Sequence, residues 1–286
     1  MWCSAMVEPG SIVVALKRSL HVVGLDPLSG VAELDDKVVE LSAAEASALE
    51  LAVQLGEGLH LPVAVVSVGG ALAEPVLRLG LAGGATRALR VEVAGRDQRQ
   101  LSSAAVAAAL AAVARKASML LCGDHSLDRA SGAVPAMVGA ALGWPTAASV
   151  TAVRRGPDGL EADRRLGRGR LETVRIDGPA VVSVEPTVAR PRRASLRATL
   201  EANAAVVAVV EVLVGDEVRE VVELPTEPPR PRAKVVPPPD PTLSLLDRIS
   251  ALTGATQPAA AAERVTLEPA AAAALIAERL SQWGYR

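Results

Sequence analysis

Short apolar runs alternate with longer segments of helical periodicity in the first part of the chain. Residues 12–16 are apolar at every position, which is typical of a strand covered on both faces of a sheet. Ser42 and Glu45 have the spacing of a capping box and therefore mark the start of a helix. The same pattern predicts seven elements in turn: strand 12–16, helix 42–55, strand 62–68, helix 71–81, strand 88–93, helix 101–116 and strand 119–122.

Strands that alternate with helices predict an α/β fold with a mainly parallel sheet, right-handed crossovers and helices on both faces. Ligands of such sheets bind beyond the carboxyl ends of the strands. Four loops are therefore expected to line a site. They follow Leu16, surround Ser42, follow Val68 and follow Cys122.

The pattern changes after Trp144, where shorter apolar segments are joined by glycine-rich turns. It predicts further strands at 150–153, 159–165, 171–176 and 180–184. Before Trp144, a glycine-containing loop is expected to lead into a helix that starts at about Ser131. Eight prolines between residues 225 and 241 exclude a helix or central strand there and indicate an extended arm.

Two helices are predicted beyond these prolines, at 243–252 and 268–283, with a low-complexity linker at 253–262. The apolar stripe of a small terminal helix needs a partner or the body of the same chain to cover it. The expected organisation has three parts: a loose extension over 1–10, an α/β domain over 11–224, and an arm with linker and terminal helix over 225–286.

Composition narrows the class of protein. Half of the 286 residues are apolar, yet there is no Phe, so the core must be built by close packing of Ala and Val. A formal net charge of −2 does not favour nucleic-acid binding. The two cysteines, Cys3 and Cys122, predict a reducing, cytoplasmic location, and Cys122 is interpreted as a core residue.

Several kinds of site are not predicted. No apolar run is long enough for a membrane span. His60, His125 and the cysteines lack metal-ligand spacing, and no nucleophile elbow or P-loop occurs.

Four stretches carry a resemblance to a known family. They are Val13 to Arg18, Val65 to Gly69 with Gly83 to Arg87, Leu120 to Pro145, and Arg170 to Val174 with Pro179 to Ser183. In order and spacing the chain resembles the beta subunits of electron-transfer flavoproteins, well over 11–224 and loosely in the tail. The resemblance implies a Rossmann-like domain whose C-terminal arm embraces a larger alpha subunit. The alpha subunit would hold most of an FAD, and this chain AMP or, as in bifurcating members, a second FAD.

The resemblance also implies a nucleotide site. The adenosine pocket would use Ala15, Ser42, Ala43, Ala44, Glu45 and Val68. The phosphate loop would use Gly123, Asp128, Arg129, Ser131, Gly132, Ala133 and Val134.

Two family features are changed, one in this loop and one in the turn at Ser42. Gly132-Ala133-Val134 replaces the family's Asn-Gln-Thr, and Ser42-Ala43-Ala44 replaces its Asn-Pro-Phe. Arg129 would supply the lost phosphate contact as a charge-assisted bond, with Ser131 adding a hydroxyl. The alternatives are an emptied pocket and a second FAD.

Two contact regions follow from the resemblance. His21 and Val22 would face the flavin of the alpha subunit, unless His21 is only solvated. Residues 184–196 would form the loop that docks on a dehydrogenase, with Val188 as an exposed apolar tip ringed by Arg190, Arg192 and Arg193. The alternative is a solvated basic turn.

The resemblance therefore implies an electron carrier that is not an enzyme and has no substrate chemistry of its own. The heterodimer would pass electrons from a flavin dehydrogenase to a quinone reductase or similar acceptor, without nucleic acid and without membrane insertion. The rival hypotheses are a stand-alone nucleotide-binding module resembling universal stress proteins, and a structural subunit that binds no nucleotide.

Overall fold

The computed structural model describes residues 7–19, 21–35, 37–96, 101–157, 159–215, 238–253 and 265–284. The chain divides into two compact units, Met1–Pro228 and Pro229–Arg286. Residues 1–6 of the predicted extension, most of the proline arm and nearly all of the predicted linker lie outside the described residues.

The first unit is an α/β domain. Its described strands are β1 (Ile12–Ala15), β2 (His21–Leu25), β3 (Ala32–Asp35), β4 (Val63–Val68), β5 (Arg87–Val93), β6 (Met119–Gly123), β7 (Thr146–Gly156), β8 (Gly159–Arg165), β9 (Leu171–Ile176), β10 (Ala180–Val184) and β11 (Ala208–Val212). Its described helices are α1 (Ala43–Leu59), α2 (Glu74–Ala82), α3 (Ser103–Ala114), α4 (Val134–Leu142) and α5 (Leu196–Ala204).

Nine of these strands form one sheet in the order β11-β5-β4-β1-β6-β10-β7-β8-β9. The strands from β11 to β7 are parallel, whereas β7, β8 and β9 form an antiparallel meander. The predicted Rossmann-like α/β class with a mainly parallel sheet is confirmed. The chain runs outward from β1 to β4 and β5 and then returns to β6 on the other side of β1. The loops therefore diverge at the β1–β6 boundary and leave a crevice there.

The sheet separates two cores. Val14, Val65 and Leu121 pack with α1 and α2 on one face, and Val13, Leu120 and other residues pack with α3 and α4 on the opposite face. Helices therefore cover both faces, as predicted. Small residues allow the close approach that this core needs, since a Cβ at Gly80 of α2 would lie 2.8 Å from the side chain of Val65.

Four elements were not predicted. Strands β2 and β3 form an antiparallel hairpin in a segment that the sequence indicated only as a loop. Helix α5 and edge strand β11 follow the predicted docking loop, and Arg78 of α2 holds the end of α5 by donating to the carbonyl oxygens of Ala202 and Asn203. Tertiary contacts of this kind stabilise elements whose own pattern is weak.

Two predicted boundaries need correction. The described end of the 1–10 extension is packed, because Val7 is only 3% exposed and contributes to the core. The Gly10 N–H donates to the Lys116 carbonyl, which holds this segment against the end of α3. Helix α4 begins at Val134 and not near Ser131, because Gly132 has a φ of +59° that a right-handed helix does not allow.

The second unit contains α6 (Leu245–Thr253) and α7 (Pro269–Gln282) among its described residues. Both helices were predicted, and neither buries a residue. Helix α6 exposes Leu245 and Ile249, and α7 exposes Ile276 and Leu280 at helical spacing. In the described part of the chain, no helix has the length and apolarity to cross a membrane.

Candidate functional site

A cleft opens at the carboxyl ends of β1, β4 and β6, where the sheet topology places a crevice. Three of the four loops that were expected to line a site contribute to it: Lys17 follows β1, Glu45 lies just after Ser42 in α1, and the loop after β6 closes one side. From the region of the fourth loop, the cleft is lined by Val68, which is the last residue of β4.

Most of the predicted nucleotide residues meet in this cleft. Those that line it are Ala15, Glu45, Val68, Gly123, Arg129, Ser131, Gly132, Ala133 and Val134. Ser42, Ala43, Ala44 and Asp128 do not line it. Ser42 caps α1 and bonds Glu45, while Asp128 pairs with Lys17.

One wall of the cleft was not predicted. Ser103, Val106 and Leu110 of α3 line it at successive turns of the helix. Their spacing of three and four residues places them on one face of the helix. This spacing is the only feature of the sequence that could have predicted this wall. Together with Val68 and Ala15 they make this side of the cleft apolar.

Glu45 fixes the relation of β1 to α1. Its carboxylate accepts the backbone N–H of Lys17 at 2.6 Å, the N–H of Ser42 at 3.0 Å and the Ser42 hydroxyl at 2.7 Å. The Glu45 N–H donates back to Ser42 Oγ at 3.1 Å, which completes the predicted capping box. Burial raises the pKa of Glu45, and the hydrogen bonds from Ser42 and Lys17 act against that rise.

Gly123 allows β6 to reach the start of α1. A Cβ at Gly123 would lie 3.0 Å from the Ala44 side chain and 3.1 Å from the Glu45 nitrogen. The preceding Cys122 is buried, and its thiol lies 3.7 Å from the Val182 carbonyl oxygen. Burial first, and then the charges of Glu45 and Asp124, raise the pKa of Cys122 to about 12. The thiol is therefore neutral, and its interpretation as a core residue is confirmed.

The loop after β6 is folded tightly over the cleft. Asp128 Oδ1 lies 2.6 Å from Lys17 Nζ and accepts the Arg129 N–H at 2.7 Å. Arg129 Nη1 donates to the Leu101 carbonyl at 2.6 Å. Burial by itself would raise the pKa of Asp128, but hydrogen bonds from Lys17 and Ser126 outweigh it and lower the pKa. The Asp128 carboxyl is thus ionised at neutral pH.

Glycine is required in this loop at position 132. Its φ is +59°, and a Cβ there would lie 2.9 Å from the Asp124 carbonyl oxygen. This turn delivers the chain to the start of α4, where Ala133 is an N-cap residue without a side-chain hydrogen bond. The N–H groups of Val134 and Ala136 belong to the first turn and therefore have no acceptor within the helix, and Pro135 between them has no N–H. Such a helix start attracts anions.

The predicted docking loop differs from expectation. Val188 is half-buried and packs against the core, so it is not an exposed tip. Arg192 is also not part of a free basic ring, because its guanidinium pairs with Glu50 and Glu57 of α1, at 2.8 Å each. Arg190 and Arg193 remain exposed.

The predicted flavin-facing residues lie on the hairpin. Val22 of β2 is 62% exposed, whereas the side chain of His21 lies outside the described part of the structure. Further large apolar residues are exposed on the same hairpin, namely Val23, Leu25, Leu28 and Val31. The hairpin thus exposes several large apolar side chains.

The fold and cleft define an α/β protein with a cleft at the switch point of a parallel sheet. The model of the electron transfer flavoprotein domain matches residues 31–214, so the chain belongs to this family of electron-transfer flavoproteins. The resemblance inferred from the four stretches is therefore confirmed.

The curated relatives are beta subunits. The electron transfer flavoprotein subunit beta of Bradyrhizobium diazoefficiens is 32% identical over 178 residues, covering 61% of this chain and 69% of the relative. The human subunit beta is 33% identical over 159 residues, with 54% and 62% covered. The mitochondrial subunit beta of Oryza sativa subsp. indica is 30% identical over 197 residues, with 66% and 77% covered. The matched region thus spans about two thirds of the first relatives' length.

Proposed function

We propose that this chain is the beta subunit of a heterodimeric electron carrier. Its partner is an electron-transfer flavoprotein alpha subunit, and the pair passes electrons from a flavin dehydrogenase to a quinone reductase or similar acceptor in the cytoplasm. The chain performs no substrate chemistry of its own. Membership of the family and the beta-subunit names of its relatives support this proposal.

The cleft is proposed to hold AMP. The observation that carries this is the meeting, in one cleft, of an apolar wall and an anion-attracting helix start. A purine ring fits between Val68 and the α3 residues Val106 and Leu110, because these side chains are apolar. A phosphate fits at the start of α4, with its free N–H groups and the guanidinium of Arg129 as donors.

The changed phosphate grip fits this arrangement. The residues 132–134 lack the amide side chains and hydroxyl of the family pattern, but the turn at Gly132 and the uncapped α4 start expose backbone donors instead. Ser131 lines the cleft beside them and supplies a hydroxyl. Arg129 donates one of its five N–H groups to Leu101, which leaves the others for an anion.

The remaining surfaces are assigned to partners. The apolar hairpin around Val22 is proposed to cover the flavin edge held by the alpha subunit. When bound, that flavin supplies the redox chemistry, and this chain excludes water and sets the surroundings. Residues 225–286 are proposed to dock on the alpha subunit, and the loop with Arg190 and Arg193 on the dehydrogenase, where exposed charge raises the association rate.

Cofactor content tests the proposal. The chain is co-expressed with an electron-transfer flavoprotein alpha subunit, the purified complex is denatured, and released FAD and AMP are quantified. One FAD and one AMP per heterodimer is the expected result. Two FAD per heterodimer would mean that a second flavin occupies the cleft in place of AMP. One FAD without AMP would mean that the changed loop has left the cleft empty. Failure to form a complex would favour the stand-alone module.

A pair of variants tests whether Arg129 contacts the phosphate of the bound AMP. Arg129→Ala is expected to lower AMP content per heterodimer, because it removes the one guanidinium that lines the cleft in the described structure. Arg197→Ala is the matched control, since Arg197 is 88% exposed on α5 and pairs with Glu201. Equal AMP content in both variants would remove Arg129 from the site.

A further inference from the structure

Two adjacent residues connect the loop after β6 to opposite sides of the cleft. Asp128 binds Lys17 at the end of β1, and Arg129 binds the Leu101 carbonyl before α3. We propose that Lys17 is a positioning residue, which holds this loop so that the Arg129 guanidinium faces a bound nucleoside monophosphate. The inference rests on the proposed nucleotide-binding function of the cleft.

Lys17 is fixed at its backbone before its side chain reaches the loop. Its N–H donates to Glu45 Oε1 at 2.6 Å, and Glu45 is itself held in the buried capping box. The Lys17 ammonium then lies 2.6 Å from Asp128 Oδ1. The residue therefore links the start of α1, the end of β1 and the loop after β6, three segments that are distant in the chain.

The ion pair continues to Arg129 through a single oxygen. Asp128 Oδ1, which contacts Lys17, also accepts the Arg129 N–H at 2.7 Å. Arg129 is consequently held at its backbone by Asp128 and at its guanidinium by the Leu101 carbonyl. Without Lys17, Asp128 loses its cationic partner, and the backbone of Arg129 loses the support that fixes its orientation.

The Lys17 ammonium is paired with the Asp128 carboxylate, so we assign Lys17 to positioning of the loop and not to direct phosphate binding. The Lys17 side chain is 40% exposed and that of Asp128 is 27% exposed. Ion pairs with this exposure contribute little to global stability. Loss of the pair should thus change the behaviour of the loop while the fold remains intact.

The test measures exchange of bound AMP in the heterodimer. Complexes carrying Lys17→Met, Asp128→Asn or both are mixed with excess isotopically labelled AMP, and the exchange rate is followed. Either single variant is expected to exchange roughly fivefold faster than the unmodified complex, the effect of losing one partly exposed ion pair. The double variant should be no faster than the singles, because both remove the same interaction.

The matched control is Lys116→Met, which removes an exposed lysine just beyond α3 and outside the cleft lining. Its exchange rate should equal that of the unmodified complex. Unchanged exchange in Lys17→Met, or effects of the two single variants that add, would overturn the positioning role.

A second measurement does not need a bound nucleotide. Trypsin cleavage after Arg129 is followed in nucleotide-stripped complexes, and Lys17→Met is expected to accelerate it because the loop is released. Equal cleavage in Lys17→Met and Lys116→Met would refute the positioning role. If the unmodified complex holds no AMP, the proposed nucleotide function fails, while the cleavage result still decides whether Lys17 orders the loop.

Discussion

Arg192 clamps the loop between β10 and α5 onto helix α1, and its removal has a predictable cost. Arg192 Nε lies 2.8 Å and Nη2 3.1 Å from the carboxylate of Glu50, and the Arg192 N–H donates to the same carboxylate at 3.1 Å. The guanidinium also donates to Glu57 at 2.8 Å. Nearby, the Ala189 N–H donates to Ser47 Oγ at 2.9 Å. We predict that Arg192→Ala destabilises the protein measurably.

The magnitude depends mainly on Glu50. Glu50 is only 5% exposed, so truncating its cationic partner leaves a buried carboxylate with fewer donors, which costs several kcal/mol when burial is complete. Arg192 itself is 37% exposed and Glu57 is 62% exposed, so water replaces part of the lost interaction. We therefore expect a loss of about 2 kcal/mol. For a chain of this size that corresponds to a fall in Tm of roughly 4–8 °C.

The assay is thermal unfolding of the heterodimer, with Arg197→Ala as control. Arg197 pairs with Glu201 on the surface of α5, so its removal should cost less than about 0.5 kcal/mol. In a Glu50→Gln background the additional cost of Arg192→Ala should shrink, because the buried charge is already absent. Equal Tm values for Arg192→Ala and Arg197→Ala would refute the reasoning.

The same clamp predicts a pH dependence. Burial opposes ionisation of Glu50, but hydrogen bonds from Arg192 and Gln54 outweigh it, so the pKa of Glu50 is lowered in the folded protein. A carboxyl with a lowered folded pKa contributes stability above its unfolded pKa, about 4.3, and loses it as pH falls through the folded pKa. The destabilisation by Arg192→Ala should therefore be full at pH 7 and diminish in acid below that unfolded value. A constant difference across this range would contradict the assignment.

Two further predictions concern the cleft. Gly132→Ala should lower the free energy of unfolding by roughly 1–3 kcal/mol in urea titration, because φ is +59° and the new Cβ would meet the Asp124 carbonyl oxygen at 2.9 Å. Destabilisation no larger than that of Gly167→Ala, where a Cβ meets nothing within 4 Å, would contradict this. In a Cys3→Ser background, Cys122 should resist a thiol reagent at pH 8 and react only on unfolding, because it is buried and its pKa is about 12. Rapid reaction of the folded protein would refute that.

The local pattern predicted the ends of most strands closely. Strands β8, β9 and β10 begin and end at the predicted residues, and β1, β4, β5 and β6 differ by a residue or two at most. The β2–β3 hairpin escaped prediction because its strands are largely exposed, so their composition lacks the continuous apolar run of a central strand. Helix α5 has one buried residue, Ala202, and hence a weak pattern.

The candidate site could also be predicted in part from the sequence. Loops after consecutive parallel strands must meet at one edge of the sheet, so nine of the predicted residues line one cleft. The wall from α3 was missed because apolar residues on an Ala-rich helix do not show which of them face a cleft. Val188 was misplaced for a similar reason, since a valine in a loop can be a surface residue or a core residue.

The sequence by itself determined most of the buried strands and the helices between them, the family, and most of the loops from which a site would be built, because periodicity, capping and turn residues act over a few neighbouring positions. Only the tertiary structure decided the partners of the charged residues. Lys17 pairs with Asp128 across 111 positions, and Arg192 pairs with Glu50 across 142. Such contacts depend on which strands become neighbours in the sheet, and a charged residue has many chemically equivalent partners along the chain, so packing selects among them.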